Sequence, residues 1–158
     1  MKNSTSTERK SERELVVTRT IDGPARLVFE AWTKSELFSR WWVPKSLPMS
    51  LRSCKLDVRV GGTYRLVFEF CEQTMDFFGR YLEVIPSSRL VWTNDEGGAD
   101  AAAITTVTFE EHDGKTLVTM HDLHPSKEAL DATVASGATD CTSETWDQLA
   151  ELVATLPL

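Results

Sequence analysis

From Glu14 onward the chain alternates. Leu15, Val17 and Ile21 stand at even spacing among threonines and Arg19, the pattern of a strand with one buried face. The period then changes. Asp22-Gly23-Pro24 reads as a helix start, because proline is tolerated in the first turn, and Leu27, Val28, Ala31 and Trp32 follow at helical spacing. Thr33 and Glu36 have the spacing of a capping box and open a second short helix, in which Leu37 lies under Trp41 and Phe38 under Trp42. Val43-Pro44 ends it.

Alternation returns at Ser53. Cys54, Leu56, Val58 and Val60 oppose Lys55, Asp57 and Arg59, and Gly61-Gly62 turns the chain into TYRLVFEFC, which predicts a hairpin. FFGRYLEVI, RLVWTN and AITTVTFEEH continue as strands, broken at Pro86-Ser87-Ser88 and at Asp95-Glu96-Gly97-Gly98. Asp113-Gly114 then joins the last of them to KTLVTMHDL. Such short turns imply antiparallel neighbours. After Pro125 the pattern is helical, first in SKEALDATVAS and then in a longer run where Trp146, Leu149, Leu152, Val153 and Leu156 share one face. Strands grouped together with helices set apart predict an α+β domain rather than a βαβ nucleotide fold.

The first thirteen residues, MKNSTSTERKSER, carry no apolar face and no apolar run of the kind a secretory signal needs. They predict a solvated, disordered tail over residues 1–12 and a domain over 13–158. At 158 residues, 41% hydrophobic and 26% charged, the chain has the ordinary globular mix and suits one domain. A net charge of −7 argues against a nucleic-acid partner, which needs clustered Lys and Arg, and no apolar run reaches membrane-spanning length. Three cysteines, Cys54, Cys71 and Cys141, are odd in number and widely spaced. They suggest neither a disulfide framework nor a zinc site, and fit a reducing cytoplasm.

Candidate chemistry is sparse. Gly61-Gly62 lacks phosphate-loop spacing and falls between strands, so it reads as a turn. Asp57 and Arg59 share one strand face and read as an ion pair. His121-Asp122-Leu123-His124 is the most tempting motif, since histidine beside a carboxylate can bind metal or move protons near neutral pH. Alternation nevertheless points Asp122 away from His121, and no third ligand follows at a recognised spacing. No catalytic residue, metal ligand or cofactor is assigned.

RTIDGPARLVFEAWTKSELFSRWW, followed by LDVRVGGTYRL, GRYLEVIPSSRLVWTN and KTLVTMHDLHPSKEALDATVASG, resembles the bacterial homologues of the activator of the heat-shock chaperone ATPase, in the START-like helix-grip superfamily. The resemblance runs from about Glu14 to the end. It implies a curved antiparallel sheet wrapped around the long C-terminal helix, with two short helices after the first strand closing a cavity between sheet and helix. In that frame Arg19, Pro24, Phe29, Trp32, Trp41, Asp57, Arg59, Gly61, Gly62, Gly79, Pro86, Thr93, Thr116 and Gly137 occupy signature positions, read mostly as fold residues. Related chains often carry glycine where Cys141 stands and tyrosine where His124 stands, so cavity shape at those two positions is not carried over.

Three functions follow from these readings. The leading one is non-catalytic binding of a small apolar or amphipathic molecule. Its expected wall is Tyr64, Phe68, Tyr81, Trp92 and Met120 from the strands, with Trp42 and Trp146 from the helices. Which face of each strand is concave stays open, since TYRLVFEF and FFGRYLEVI are apolar on both. Of the two adjacent tryptophans, Trp41 is expected in the core and Trp42, aimed about 100° away, at the cavity mouth. The resemblance also implies a chaperone-interacting module, although the activators that name the family carry a further N-terminal domain for which this length leaves no room. The third reading is a cyclase- or hydrolase-type enzyme of the same fold. The protein is expected as a monomer or homodimer.

Overall fold

The computed structural model describes residues 5–95, 102–135 and 141–157. The expected turn at Glu96-Gly97-Gly98 and the signature Gly137 lie outside them. Among the described residues the order is β1 (Ser6–Arg9), β2 (Glu14–Ile21), α1 (Ala25–Thr33), α2 (Ser35–Trp41), β3 (Met49–Leu56), β4 (Thr63–Phe70), β5 (Gln73–Ile85), β6 (Arg89–Asn94), β7 (Ala103–His112), β8 (Lys115–Leu123), α3 (Lys127–Ala135) and α4 (Thr142–Thr155).

The strands form one sheet in the order β1-β2-β8-β7-β6-β5-β4-β3, antiparallel at every pairing. The meander from β3 to β8 ends beside β2, so the first half of the domain closes onto the last strand. One face buries Val17 and Ile21 of β2, Val118 of β8, Val107 of β7 and Leu90 of β6 against Trp146, Leu149, Leu152 and Val153 of α4. The α+β helix-grip architecture read from the sequence is the one observed.

Residues 6–9 depart from the expected disordered tail. They pair with β2 in register, Ser6 opposite Thr18 and Arg9 opposite Leu15. All four side chains are exposed; the strand is held by backbone pairing to the β2 edge and by the Arg9–Asp131 ion pair (2.7 Å), and leaves no hydrophobic alternation to read. The capping box is also not formed. Thr33 donates its hydroxyl to the Phe29 carbonyl (2.9 Å) instead, and Lys34 occupies the cap position of α2 without a side-chain bond. Asp57 and Arg59 do pair, Arg59 Nε lying 2.9 and 3.0 Å from the two carboxylate oxygens, but in the exposed turn after β3 rather than on a strand.

Helix ends are satisfied from a distance. The Ala25 amide at the start of α1 donates to Glu111 Oε1 of β7 (2.7 Å), which places a carboxylate on the positive end of that helix. At the C-terminus of α2, Gln148 of α4 donates to the carbonyls of Trp41 (3.0 Å) and Val43 (2.8 Å) and accepts from the Lys45 amide (2.9 Å). The segment that follows the paired tryptophans is therefore tied to α4.

Arg19, buried on β2, forms an ion pair with Asp147 of α4, whose side chain is 41% exposed. Among the described residues its Nε has no partner. Removing the carboxylate strands a buried guanidinium, an effect of 3–5 kcal/mol in fully buried pairs, and solvent reaching Asp147 reduces it. Asp147→Ala is expected to cost about 2 kcal/mol in urea unfolding, most of it recovered when Arg19→Met is added, since a neutral side chain has no charge to strand.

Candidate functional site

Between the sheet, α2 and the N-terminal end of α4 lies a partly open cavity of about 550 Å³. Its strand wall is built by the pleat. In β4, Tyr64, Leu66, Phe68 and Phe70 share one face, and their partners across the ladder, Gly79, Phe77, Met75 and Gln73, continue that face into β5. Tyr64, Leu66 and Phe68 are buried, whereas Phe78, on the opposite face of β5, is 42% exposed. This settles which side of the two doubly apolar strands is concave.

All seven residues expected in the wall, Trp42, Tyr64, Phe68, Tyr81, Trp92, Met120 and Trp146, line this one cavity. The sequence reading missed Leu66, Phe70, Met75 and Phe77, which alternate with residues of the opposite face. It also missed Met49 and Leu56 on β3, and Asn94, Cys141, Thr142 and Thr145. Trp32, taken for a fold residue, both lines the cavity and organises it. Its ring centroid lies 4.8 Å from that of Trp41, 5.9 Å from Trp42, and 6.0 Å from both Trp92 and Trp146. The chain has five tryptophans, and all of them meet here.

The two adjacent tryptophans divide their work. Trp41 is fully buried and donates its indole Nε1–H to the Ala31 carbonyl at 2.8 Å, joining α2 to the end of α1. Trp42 is half-buried, stacks on Phe38 with centroids 4.6 Å apart, and faces the cavity beside Pro44 and Leu47.

No charged side chain lines the cavity among the described residues. Burial, with Cys54 and Asp57 nearby, raises the Tyr81 phenol well above its usual range, so Tyr81 is a neutral hydroxyl there. Burial likewise raises the Cys54 thiol, against the opposing hydrogen bond from Ser35, and a thiol so held is not the thiolate a nucleophile requires.

A polar chain crosses the sheet beside this wall. The Tyr64 hydroxyl shares its one hydrogen between the Thr93 carbonyl (2.8 Å) and Asn94 Oδ1 (3.1 Å). Asn94 Nδ2 donates to Thr105 Oγ1 (3.0 Å), and Thr105 donates to Asp122 Oδ1 (2.6 Å). Desolvation raises the Asp122 carboxyl, opposed by its bond to Thr105 and by His124 and His121. Within the His121–His124 motif the neighbours diverge as alternation requires, His121 lying 3.6 Å from Glu14 while Asp122 joins the chain. Among the described residues no group of three His, Cys, Asp or Glu side chains is placed to hold a metal, and no helix is long and apolar enough to cross a membrane.

A curved antiparallel sheet gripping a C-terminal helix across an apolar cavity defines the helix-grip class. Residues 22–154 match the family described as "Activator of Hsp90 ATPase homolog 1-like protein", and the chain belongs to that family. A crystal structure from Nitrosomonas europaea is similar at 26% identity and TM-score 0.82, covering 92% of this chain and 97% of its own. A Rhodobacter sphaeroides protein, at 22% identity and TM-score 0.88, covers 96% of this chain and 99% of its own, and shares the fold. The Mycobacterium smegmatis protein Ms6760 does likewise at 18% identity and TM-score 0.82, with 98% of this chain and 99% of its own covered. Among curated proteins none matches.

Proposed function

We propose that this protein binds a small apolar or amphipathic molecule in the cavity between sheet and α4, and does no chemistry on it. The observation that carries this reading is the wall itself. A space of about 550 Å³ is surrounded by aromatic, methionine and aliphatic side chains with only a few neutral polar groups, the composition of a site that selects by shape and apolar surface. A charged molecule would lose its hydration there with no counter-charge among the described wall residues to replace it. The raised phenol of Tyr81 is a poor base at neutral pH.

The family description favours a second reading, contact with a heat-shock chaperone ATPase. Co-purification of a stoichiometric complex with that chaperone would support it.

The binding reading is tested by titrating the neutral fluorescent dye Nile red. Saturation at one dye per chain is expected, with Trp42→Ala weakening affinity several-fold, since an aromatic wall contact contributes on the order of 1 kcal/mol beyond its area. Unsaturable dye uptake, or equal affinity in the two proteins, would remove the cavity from consideration.

A further inference from the structure

The cavity wall is uncharged, but its rim is not. Between the end of α2 and β3 lies a second, more open depression, lined by Arg40 and Lys45 together with Pro44, Leu47 and Met49. Those last three also line the cavity, so the two spaces adjoin at its mouth. Arg40 and Lys45 are exposed, and among the described residues neither side chain has a hydrogen-bond or ion-pair partner. The arginines of the neighbouring strands and turns are treated differently. Arg52, Arg59, Arg65, Arg80 and Arg89, every arginine from β3 to β6, each pair with a carboxylate. In a chain of net charge −7, two cations left unpaired in one depression are not a shortage of acids. The acids close by in the chain or the fold are turned elsewhere. Glu36, one turn before Arg40 on α2, makes no ion pair with it, and Glu144 of α4 accepts from the Ser46 amide (2.9 Å) and hydroxyl rather than from Lys45. With the Lys45 amide donating to Gln148 Oε1 (2.9 Å), these bonds hold the loop backbone against α4 and keep Lys45 at the rim.

We infer that Arg40 and Lys45 form a headgroup subsite beside the cavity, and that the molecule bound is an anionic amphiphile, its apolar body inside the wall and its carboxylate at the rim against these two cations. This rests on the reading of the cavity as a binding site. An anion inside the wall would give up its hydration for nothing, whereas at the rim it keeps water on one side and gains two positive charges on the other. The cations then choose among molecules that the apolar wall accepts equally.

Two probes of the same shape separate the possibilities: 4-(2-naphthyl)butanoate and its uncharged primary amide. They are titrated by calorimetry at low salt and about pH 8, where the carboxylate is ionised. The unmodified protein is expected to bind the acid more tightly than the amide, and added salt should weaken the acid while leaving the amide nearly unchanged. In the double variant Arg40→Gln, Lys45→Gln the ratio of acid to amide affinity should fall about tenfold, the scale of two partly exposed ion pairs, with amide affinity kept. Lys115→Gln removes an exposed cation on the turn between β7 and β8, away from both depressions, and should move neither. Amide bound as tightly as acid, a ratio unchanged in the double variant, or one lowered equally by Lys115→Gln overturns the headgroup subsite and leaves the cavity reading intact. So does co-sedimentation with phosphatidylglycerol vesicles that the double variant abolishes while acid and amide bind alike, which would place the two cations against a membrane. Binding of neither probe overturns both.

Discussion

Trp41→Ala is expected to lower folding stability by about 3–5 kcal/mol, while its neighbour Trp42→Ala costs clearly less. Trp41 has no exposed surface and packs edge-on against Trp32 at 4.8 Å and Phe38 at 5.4 Å, so truncation opens a hole in the centre of the aromatic cluster. Its indole also donates to Ala31, one of the last four carbonyls of α1, which have no partner within their own helix. The variant therefore loses packing and a helix-end hydrogen bond together. Trp42 is half-buried and stacked on Phe38 at the cavity mouth, where a shortened side chain leaves space that is already open. Denaturant unfolding of the two variants checks this: equal losses would place both tryptophans in the core.

Gly79→Ala is expected to be more damaging still, leaving little folded protein, a loss above about 4 kcal/mol. A Cβ at this position would stand 1.8 Å from the Thr93 carbonyl oxygen, 2.8 Å from its carbon, and 2.8 Å from Cε1 of Tyr64. Two of those contacts are backbone of the neighbouring strand β6, which cannot swing aside as a flexible side chain would. The substitution must therefore separate β5 from β6 where the Arg80 amide donates to Thr93 Oγ1, and displace Tyr64 from the wall. Circular dichroism and solubility report the outcome. A stable, cooperatively folding variant within about 1 kcal/mol of the unmodified protein would mean that the two strands do not approach as closely as described.

Much of this architecture was legible because local chemistry and global fold agree. Gly61, at φ +83°, and Asp113-Gly114, at +53° and +78°, lie at turns their residue types announce, and Val43-Pro44 stops α2 where its indoles are needed. Cys71-Glu72 shows the limit. Both adopt positive φ, 53° and 66°, in the two-residue turn between β4 and β5, yet neither is a residue that favours that conformation, so nothing in the sequence marks the turn. The strand β1 was hidden for a different reason, since an edge strand with every side chain in water has no apolar period.

In the site, large apolar residues could be proposed from their type alone, and the seven proposed do stand around one cavity. Leu66 and Phe77 could not be separated from residues of the opposite face, because β4 and β5 are apolar on both sides and only the register between them assigns a side. The chain from Tyr64 through Asn94 and Thr105 to Asp122 was out of reach altogether. Its links join residues 30, 11 and 17 positions apart and exist only once four strands are aligned.

The central claim is that the cavity takes an apolar molecule, and the methionines report on it directly. Three of the chain's four, Met49, Met75 and Met120, line the cavity from β3, β5 and β8. With 13C-labelled methionine methyl groups, and signals assigned by single Met→Leu substitutions, titration with 2-naphthol should move all three resonances with one shared dissociation constant and saturate at one molecule per chain. Methyl signals that stay fixed up to the solubility limit of the probe, or that drift without saturation, would contradict the account.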